Sequence, residues 1–323
     1  MGGVPVGVLA AAVERALRAP SVHNTQPWRW RLRPGVVELH ADRARQLVGT
    51  DPDGRDLILS CGAALHHLRV ALAAAGLSAH VGRLPSPEDR GHLASVRVGN
   101  GPPEPGFAAL SRAVDERRTD RRPLGAEPVA PDVLARLVAA ATGCGATLHP
   151  VTADEARHRL DRLLADAATR QRFAPGYAAE LTIWSHRWAA ARDGVPASAR
   201  TSRGAVPDLR AFPRGDLGGA GAAVGPPDGS VLLVLTTVGD GLLDRLLAGE
   251  ATSAVLLAAT LRGLATTPLS QASEVAATRA QLASTVLRSP DHPQLVIRVG
   301  HPGPDPGRLE RTPRRALEAV LLR

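Results

Sequence analysis

Apolar positions along the chain recur with two periods. Between 55 and 77, Leu57, Cys61, Leu65, Leu68 and Leu72 return every three or four residues, the spacing of one helix face, and Gly76 supplies a stop. The same spacing predicts helices over 6–18, 131–142, 153–168, 177–192, 242–263 and 314–322, with Pro131 suited to a first turn. Short valine-rich runs predict strands over 36–41, 94–99, 146–151, 231–237 and 295–300, the first of them after the Pro34-Gly35 turn. Helices mixed with short strands give an α+β chain.

Two stretches interrupt this pattern. GPPEPG at 101–106 reads as a linker. Residues 192–230 hold eight Gly and five Pro in 39 positions, too many for a helix or strand, so this is a long loop: either a lid or a disordered insertion.

The chain also repeats itself. A long helix, a Gly-Leu pair (Gly76-Leu77) and VRVGNGPPEP at 96–105 are echoed by a long helix, Gly263-Leu264 and IRVGHPGPDP at 297–306. This predicts an internal duplication, with units 1–106 and 107–323 related as a pseudodimer. A site across such an interface draws on both units.

Composition narrows the function classes. At 44% apolar over 323 residues, the chain can bury a sizeable core. Two cysteines, Cys61 and Cys144, exclude a disulfide framework and a four-thiolate zinc site, and suit a reducing cytoplasm. The apolar runs 231–235 and 254–261 fall short of the ~20 residues a bilayer span needs, and Glu14 and Arg15 interrupt the N-terminal apolar segment. No membrane partner is therefore expected. The net charge is +8, and all 39 Lys+Arg cations are arginine. They are scattered, and eight aromatic residues give few stacking platforms, so coding bias is the expected origin and no nucleic-acid partner is expected.

Four segments carry candidate chemistry. APSVHNTQPW at 19–28 is a polar loop stiffened by Pro20 and Pro27, able to read the edge of a planar heterocycle. RRTDRR at 117–122 sets arginine forks around a hydroxyl, which suits a phosphate monoester, although composition alone favours a solvated basic turn. GLATTPLSQ at 263–271 follows the second long helix, and Thr312-Pro313-Arg314-Arg315 offers further cations. His66-His67 shows no metal spacing, and no metal site is expected. No G-x-S-x-G elbow, P-loop or G-x-G-x-x-G is present. Asp42, Arg43, Arg45, Asp51, Asp53 and Arg55 read as a salt-bridged loop, and Trp184 and Trp188 as packing or lid anchors four apart on a helix.

Taken together, the four segments resemble the FMN-dependent nitroreductase family, most specifically through P-S-x-x-N-x-Q-P-W at 20–28. In that family the flavin lies at a subunit interface, with the P-S-S-x-N loop from one side and the arginine motif, the turn near N5 and the C-terminal basic residues from the other. The resemblance implies a nitroreductase-like fold. It implies a cofactor, FMN, held by Pro20, Ser21, Val22, Asn24 and Gln26 facing Arg117, Arg118, Thr119, Arg121, Ser270, Gln271, Arg314 and Arg315. Arg117 lies 16 residues before Val133 and the same count back from Val8 falls outside the sequence, so no arginine motif is expected in the first unit; GCGATLHPV stands where the second unit would carry the loop, and one composite site is implied. A one-flavin pseudodimer resembles the Acg-like actinobacterial branch, which carries the name NAD(P)H nitroreductase and is thought to cover its flavin with a lid. Two departures stand out: Ser270-Gln271 replaces the usual Glu-Gly near N5, and Thr312-Pro313-Arg314 replaces a K-x-R, with Arg315 or Arg311 as substitutes. The implied partners are NAD(P)H and a small electron acceptor, in a monomeric pseudodimer or a higher oligomer. The implied activity is hydride or electron transfer through the flavin, with no side-chain catalyst required. The rival expectation is a flavin-sequestering protein without turnover.

Overall fold

The computed structural model describes residues 3–200, 210, 228–303, 307 and 309–322. The first unit runs α1 (Val6–Ala16), β1 (Trp28–Arg33), β2 (Val36–Ala41), α2 (Arg55–Ala74), β3 (Ser78–Arg83) and β4 (His92–Gly99). After α3 (Ser111–Glu116) the second unit repeats that order, with insertions: α4 (Pro131–Thr142), β5 (Thr147–Val151), α5 (Asp154–Arg172), α6 (Tyr177–Ser185), β6 (Val231–Thr237), α7 (Leu242–Thr260), β7 (Ala265–Leu269), α8 (Gln271–Glu274), α9 (Ala276–Gln281) and β8 (His292–Gly300). Each unit holds one antiparallel four-stranded sheet, in the orders β1-β2-β4-β3 and β5-β6-β8-β7. Both inner pairs carry a register irregularity, at Leu39/His40 and at Leu235/Thr236. The matched VRVG and IRVG segments end the equivalent inner strands β4 and β8.

α2 and α7 cross between the sheets, and their contact welds the units together. A Cβ on Gly62 would lie 2.1 Å from the Leu246 carbonyl oxygen and 2.9 Å from the Gly249 Cα; a Cβ on Gly249 would lie 2.1 Å from the Leu59 carbonyl oxygen. Only glycine permits this approach. Around it, Ser253 Oγ contacts the Nδ1 atoms of His66 (2.7 Å) and His67 (2.8 Å). The fully buried Glu250 accepts from Arg69 (2.5 Å) and Arg83 (2.6 Å) across the seam. α2 is long and apolar enough to cross a membrane, but here it is the buried core helix.

Several elements differ from expectation. β1, β3 and β7 escape the periodicity reading: β1 alternates Trp and Arg, and β7 contains Pro268, which an edge strand tolerates. Residues 314–322 are not a helix. A single turn, Leu317–Ala319, leads into a parallel bridge on the free edge of β1, where Trp30 N–H donates to the Val320 oxygen (2.8 Å) and Leu322 N–H to the Trp30 oxygen (2.7 Å). Burial of Val320 in the first unit's core outweighs local helix propensity there. The tail of the second unit thus completes the first. α6 stops at Ser185, so Trp188 lies beyond the helix and is exposed, while Trp184 stacks under Arg45 and Arg187. The 42–55 charges do not pair with one another: Arg45 meets Asp193, Arg55 meets Asp240 (2.6 Å), and Asp51 caps α2 through the N–H groups of Arg55 (2.7 Å) and Leu57 (2.9 Å). Of the expected lid loop 192–230, residues 201–209 and 211–227 lie outside the described residues.

Candidate functional site

The loop after α1 turns sharply. Three non-glycine residues in it, His23 (φ 45°), Asn24 (φ 54°) and Gln26 (φ 50°), adopt left-handed backbone. Such conformations cost on the order of 1–3 kcal/mol each and persist where tertiary bonds impose them. Here Asn24 Nδ2 donates to the carbonyls of Gly194 (3.0 Å) and Pro313 (3.1 Å). Gln26 Nε2 donates to the Arg192 oxygen (2.9 Å), and Gln26 Oε1 accepts from the Arg315 N–H (2.8 Å). The Ser21 hydroxyl accepts from the Gln26 N–H (2.9 Å). The second unit's 192–194 stretch and tail therefore clamp the first unit's loop.

The arginine segment is placed by pairing rather than by a helix. Thr119 bridges Thr266, Asp120 N–H donates to the Thr266 oxygen (3.0 Å), and the Thr267 hydroxyl donates to the Asp120 oxygen. This adds residues 119–120 alongside β7 and turns Arg117 and Arg121 inward. Arg122 is held instead by Asp120 (2.7 Å).

The two segments meet at the seam and line two adjoining clefts. The first is walled by Pro20, Ser21, Val22 and His23 of the loop, by Asp56, Leu59, Ser60 and Ala63 of α2, and by Thr267–Gln271 and Leu295 from the second unit. The second shares Pro20, Ser21, His23, Thr119 and Arg121 and continues to Arg18, Asn24, Arg117, Arg118 and Arg314. One is largely apolar with hydroxyls at its rim; the other is cationic.

In the second cleft Arg18 is paired with Asp115 (3.1 Å), whereas Arg117 and Arg314 meet no carboxylate among the described residues. Arg117 is 6% exposed; its Nη2 reaches the Arg18 carbonyl at 3.5 Å, and its Nε and Nη1 have no partner. Arg314 donates to the carbonyls of Arg18 and Ala19 (both 3.2 Å) and to the Thr312 hydroxyl (2.6 Å). Burial, with Arg118 beside it, pulls the Arg117 guanidinium down to about 10, and burial together with Arg117, Arg18 and Arg118 pulls Arg314 down to about 9. Burial and then Arg210 bring Arg121 to about 10; burial, Arg210 and Arg121 press His23 well below its ordinary value, so its imidazole is neutral. Buried cations that destabilise one another mark a place for an anion.

Of the thirteen residues singled out in the sequence, eleven line these clefts. Gln26 and Arg315 do not: they stand behind the loop, bonded to each other and to backbone, with Arg315 also donating to the Ala319 oxygen (2.6 Å). Sequence reasoning missed His23, Asp56, Ser60, Arg18 and Arg210 as wall residues. A histidine inside the 19–28 loop was the available hint for His23. Asp56 reads as an ordinary acidic first-turn residue. Elsewhere, Glu38, His40 and His92 gather on the first sheet, with one ligand-type atom from each within 4.8 Å of the others, a proximity that no sequence spacing announces. Glu38 is engaged by Arg31 (2.8 Å), and the His92 nitrogens by Ser86 (3.2 Å) and Ser95 (3.0 Å).

Two sheets on crossed central helices, with a composite cleft at their seam, make an α+β fold with a cationic pocket. No family model matches the chain. It is 42% identical over 310 residues to the Mycobacterium tuberculosis (strain H37Rv) protein named "Putative NAD(P)H nitroreductase Rv3131", covering 95% of this chain and 88% of that protein. It is 36% identical to "Putative NAD(P)H nitroreductase acg" of the same strain, covering 98% and 96%. Among solved structures, the FMN-dependent nitroreductase NfnB from Mycobacterium smegmatis in complex with NADPH aligns with a TM-score of 0.42 at 15% identity, over 66% of this chain and 96% of that one. The chain belongs to the Acg-like branch of the nitroreductase family.

Proposed function

We propose that the chain is an FMN-dependent NAD(P)H oxidoreductase of nitroreductase type that reduces a small acceptor. One observation carries this reading. The 20–24 loop of one unit and Arg117, Arg121 and Arg314 of the other line two adjoining clefts, one largely apolar and one cationic. A flat ring bearing a phosphate has that polarity. Arg117, Arg121 and Arg314 would hold the phosphate, with the Thr119 hydroxyl among them. Val22, Leu59, Ala63 and Leu269 would flank the ring, and Ser21, Ser60 and Gln271 would offer polar groups at its edges. The bound flavin supplies hydride transfer; the protein's part is to orient it, neutralise its phosphate and exclude water. The N–H groups at Ser270 and Gln271 open α8 and would offer the ring a backbone donor.

A second reading, flavin holding without turnover, is favoured by the cover that the second unit lays over the loop. Val195, Ser198 and Ala199 line the cationic cleft, and Arg121 donates to the Ala199 oxygen (2.8 Å). The test is an absorbance spectrum of the purified protein followed by anaerobic addition of NADPH. A yellow protein bleached at once supports the enzyme, a yellow protein that stays oxidised supports the holder, and a colourless one without FMN affinity overturns both.

A further inference from the structure

Asp56 is unlike the other polar groups of the apolar cleft. It lies in the first turn of α2, faces the cleft and is 5% exposed; no N–H or O–H among the described residues donates to its buried Oδ2, and its carboxyl instead hydrogen-bonds Glu274. Behind it, from α8, comes Glu274. That carboxylate is saturated: Arg210 grips it through Nη2 to both oxygens (2.7 and 2.7 Å), the Ser270 hydroxyl donates to it (2.6 Å), and Gln171 donates to it as well. Arg210 in turn bonds the Tyr177 hydroxyl (2.8 Å). The groups facing Asp56 are thus Glu274 and Asp51, both carboxyls, and a cation already committed to Glu274; His23 and Arg121 stand across the cleft. Two adjacent carboxyls with one cation between them keep one proton. Burial, then Glu274 and Asp51, drive the Asp56 carboxyl well above the usual range. Burial alone would raise Glu274 too, yet Arg210 holds it below its ordinary value.

Four of the hydroxyls around the cleft already donate to the protein. Ser60 donates to the Asp56 carbonyl (2.6 Å), Thr252 to the Ala248 carbonyl (2.8 Å), Ser270 to Glu274 and Thr267 to the Asp120 carbonyl. His23 is neutral, and the arginines are poor acids. We propose that Asp56 is the proton donor of this cleft, a carboxylic acid that protonates an oxygen of the acceptor as the acceptor is reduced, with Glu274 as the fixed anion behind it. The inference rests on the oxidoreductase reading above. For a quinone the step balances as follows. Two electrons and one proton arrive as the hydride that originates on NAD(P)H, which leaves as NAD(P)⁺. The Asp56 O–H bond breaks and an O–H bond forms on the hydroquinone. The resulting Asp56 carboxylate, beside Glu274, takes a proton back from water. General acids of this kind contribute about 10²–10⁴-fold.

The test uses the full chain. Infrared difference spectra at about pH 9, where the Asp51 carboxyl that burial pushes up to about 7 is ionised, are expected, with and without FMN, to show a protonated-carboxyl C=O band in the wild type that Asp56→Asn lacks. Glu274→Gln should also lose the band although Asp56 is still present, because the released Arg210 then pairs with Asp56 as a carboxylate. Anaerobically reduced protein mixed with p-benzoquinone, compared at equal FMN occupancy, should reoxidise about 10²–10⁴-fold more slowly in Asp56→Asn. Asp56→Glu, an acid one methylene longer, should recover part of the rate. A band that persists in Asp56→Asn, or quinone reduction unchanged in flavin-loaded Asp56→Asn, overturns the donor role alone. A wild-type chain that takes up no flavin overturns the proposed function and the donor role with it.

Discussion

Gly62 and Gly249 face each other at the crossing of α2 and α7, each so close to the opposite backbone that a single methyl would overlap a carbonyl oxygen. The pair is reciprocal, Gly62 against Leu246 and Gly249 against Leu59, which is what a pseudo-two-fold seam requires. Leu59, Ser60 and Ala63 leave the same helix to wall the cleft, so the crossing also sets the width of the site. Gly62→Ala and Gly249→Ala are each expected to cost about 1–3 kcal/mol, the range for overpacking a tight core. The double variant should cost less than the sum, because helices spread by one methyl have room for the second. Denaturant midpoints of the four proteins measure this; strict additivity would contradict a shared contact.

The arginine cleft should respond to simple anions. Inorganic phosphate is expected to raise the melting temperature of flavin-free protein through preferential binding to the folded state, with Arg117→Ala and Arg314→Ala abolishing the rise. These variants should also lose FMN while their flavin-free melting temperature holds or increases, since each removes a buried cation repelled by its neighbours. Thermal melts with and without phosphate decide the matter.

Gln26 behaves differently because it braces the loop from behind. Gln26→Ala strands the Arg315 N–H and the Arg192 carbonyl, and about 1–3 kcal/mol of stability should be lost. FMN affinity should fall only as far as the loop loosens, so its loss should be much smaller than for Arg117→Ala. Equilibrium FMN titration beside a denaturation curve separates the two effects.

His66 and His67 make stability depend on pH. Burial first, then Arg69, pulls His66 down to about 3, and burial with Arg117 and His66 holds His67 well below 6.5. Both are therefore neutral in the folded chain and take up protons only when it unfolds. Between pH 6.5 and about 3 the unfolded state binds more protons, so these groups lower stability as pH falls, by at most ~1.4 kcal/mol per pH unit for each. His66→Gln should flatten the decline between pH 6.5 and 4 in urea-melt midpoints; an unchanged slope would mean that His66 is charged in the folded state.

The periodic helices and the inner strands were legible because a buried face repeats every 3.6 or two residues whatever it packs against. The Val36–Ala41, Pro131–Thr142 and Val231–Thr237 bounds coincide with expectation for that reason. So did most of the cleft: a proline-stiffened polar loop and an arginine run are local, and their side chains advertise what they can bind. The chain alone therefore determined its elements, the echo between its units and the candidate anion-binding groups.

Only the tertiary structure decided which groups meet. Residues 314–322 look helical in isolation, but the open edge of β1 offers them backbone partners and a core for Val320, and long-range pairing wins. Arg117 and Arg122 sit in one motif, yet the bridge between Thr119 and Thr266 turns the first into the cleft and leaves the second on Asp120. Asp56 and Glu274 are each ordinary acids in sequence. Folding brings them together with a single arginine, and only burial side by side makes one of them a proton donor. Local pattern reports how a residue is buried, whereas the partner it is buried against is a property of the whole chain.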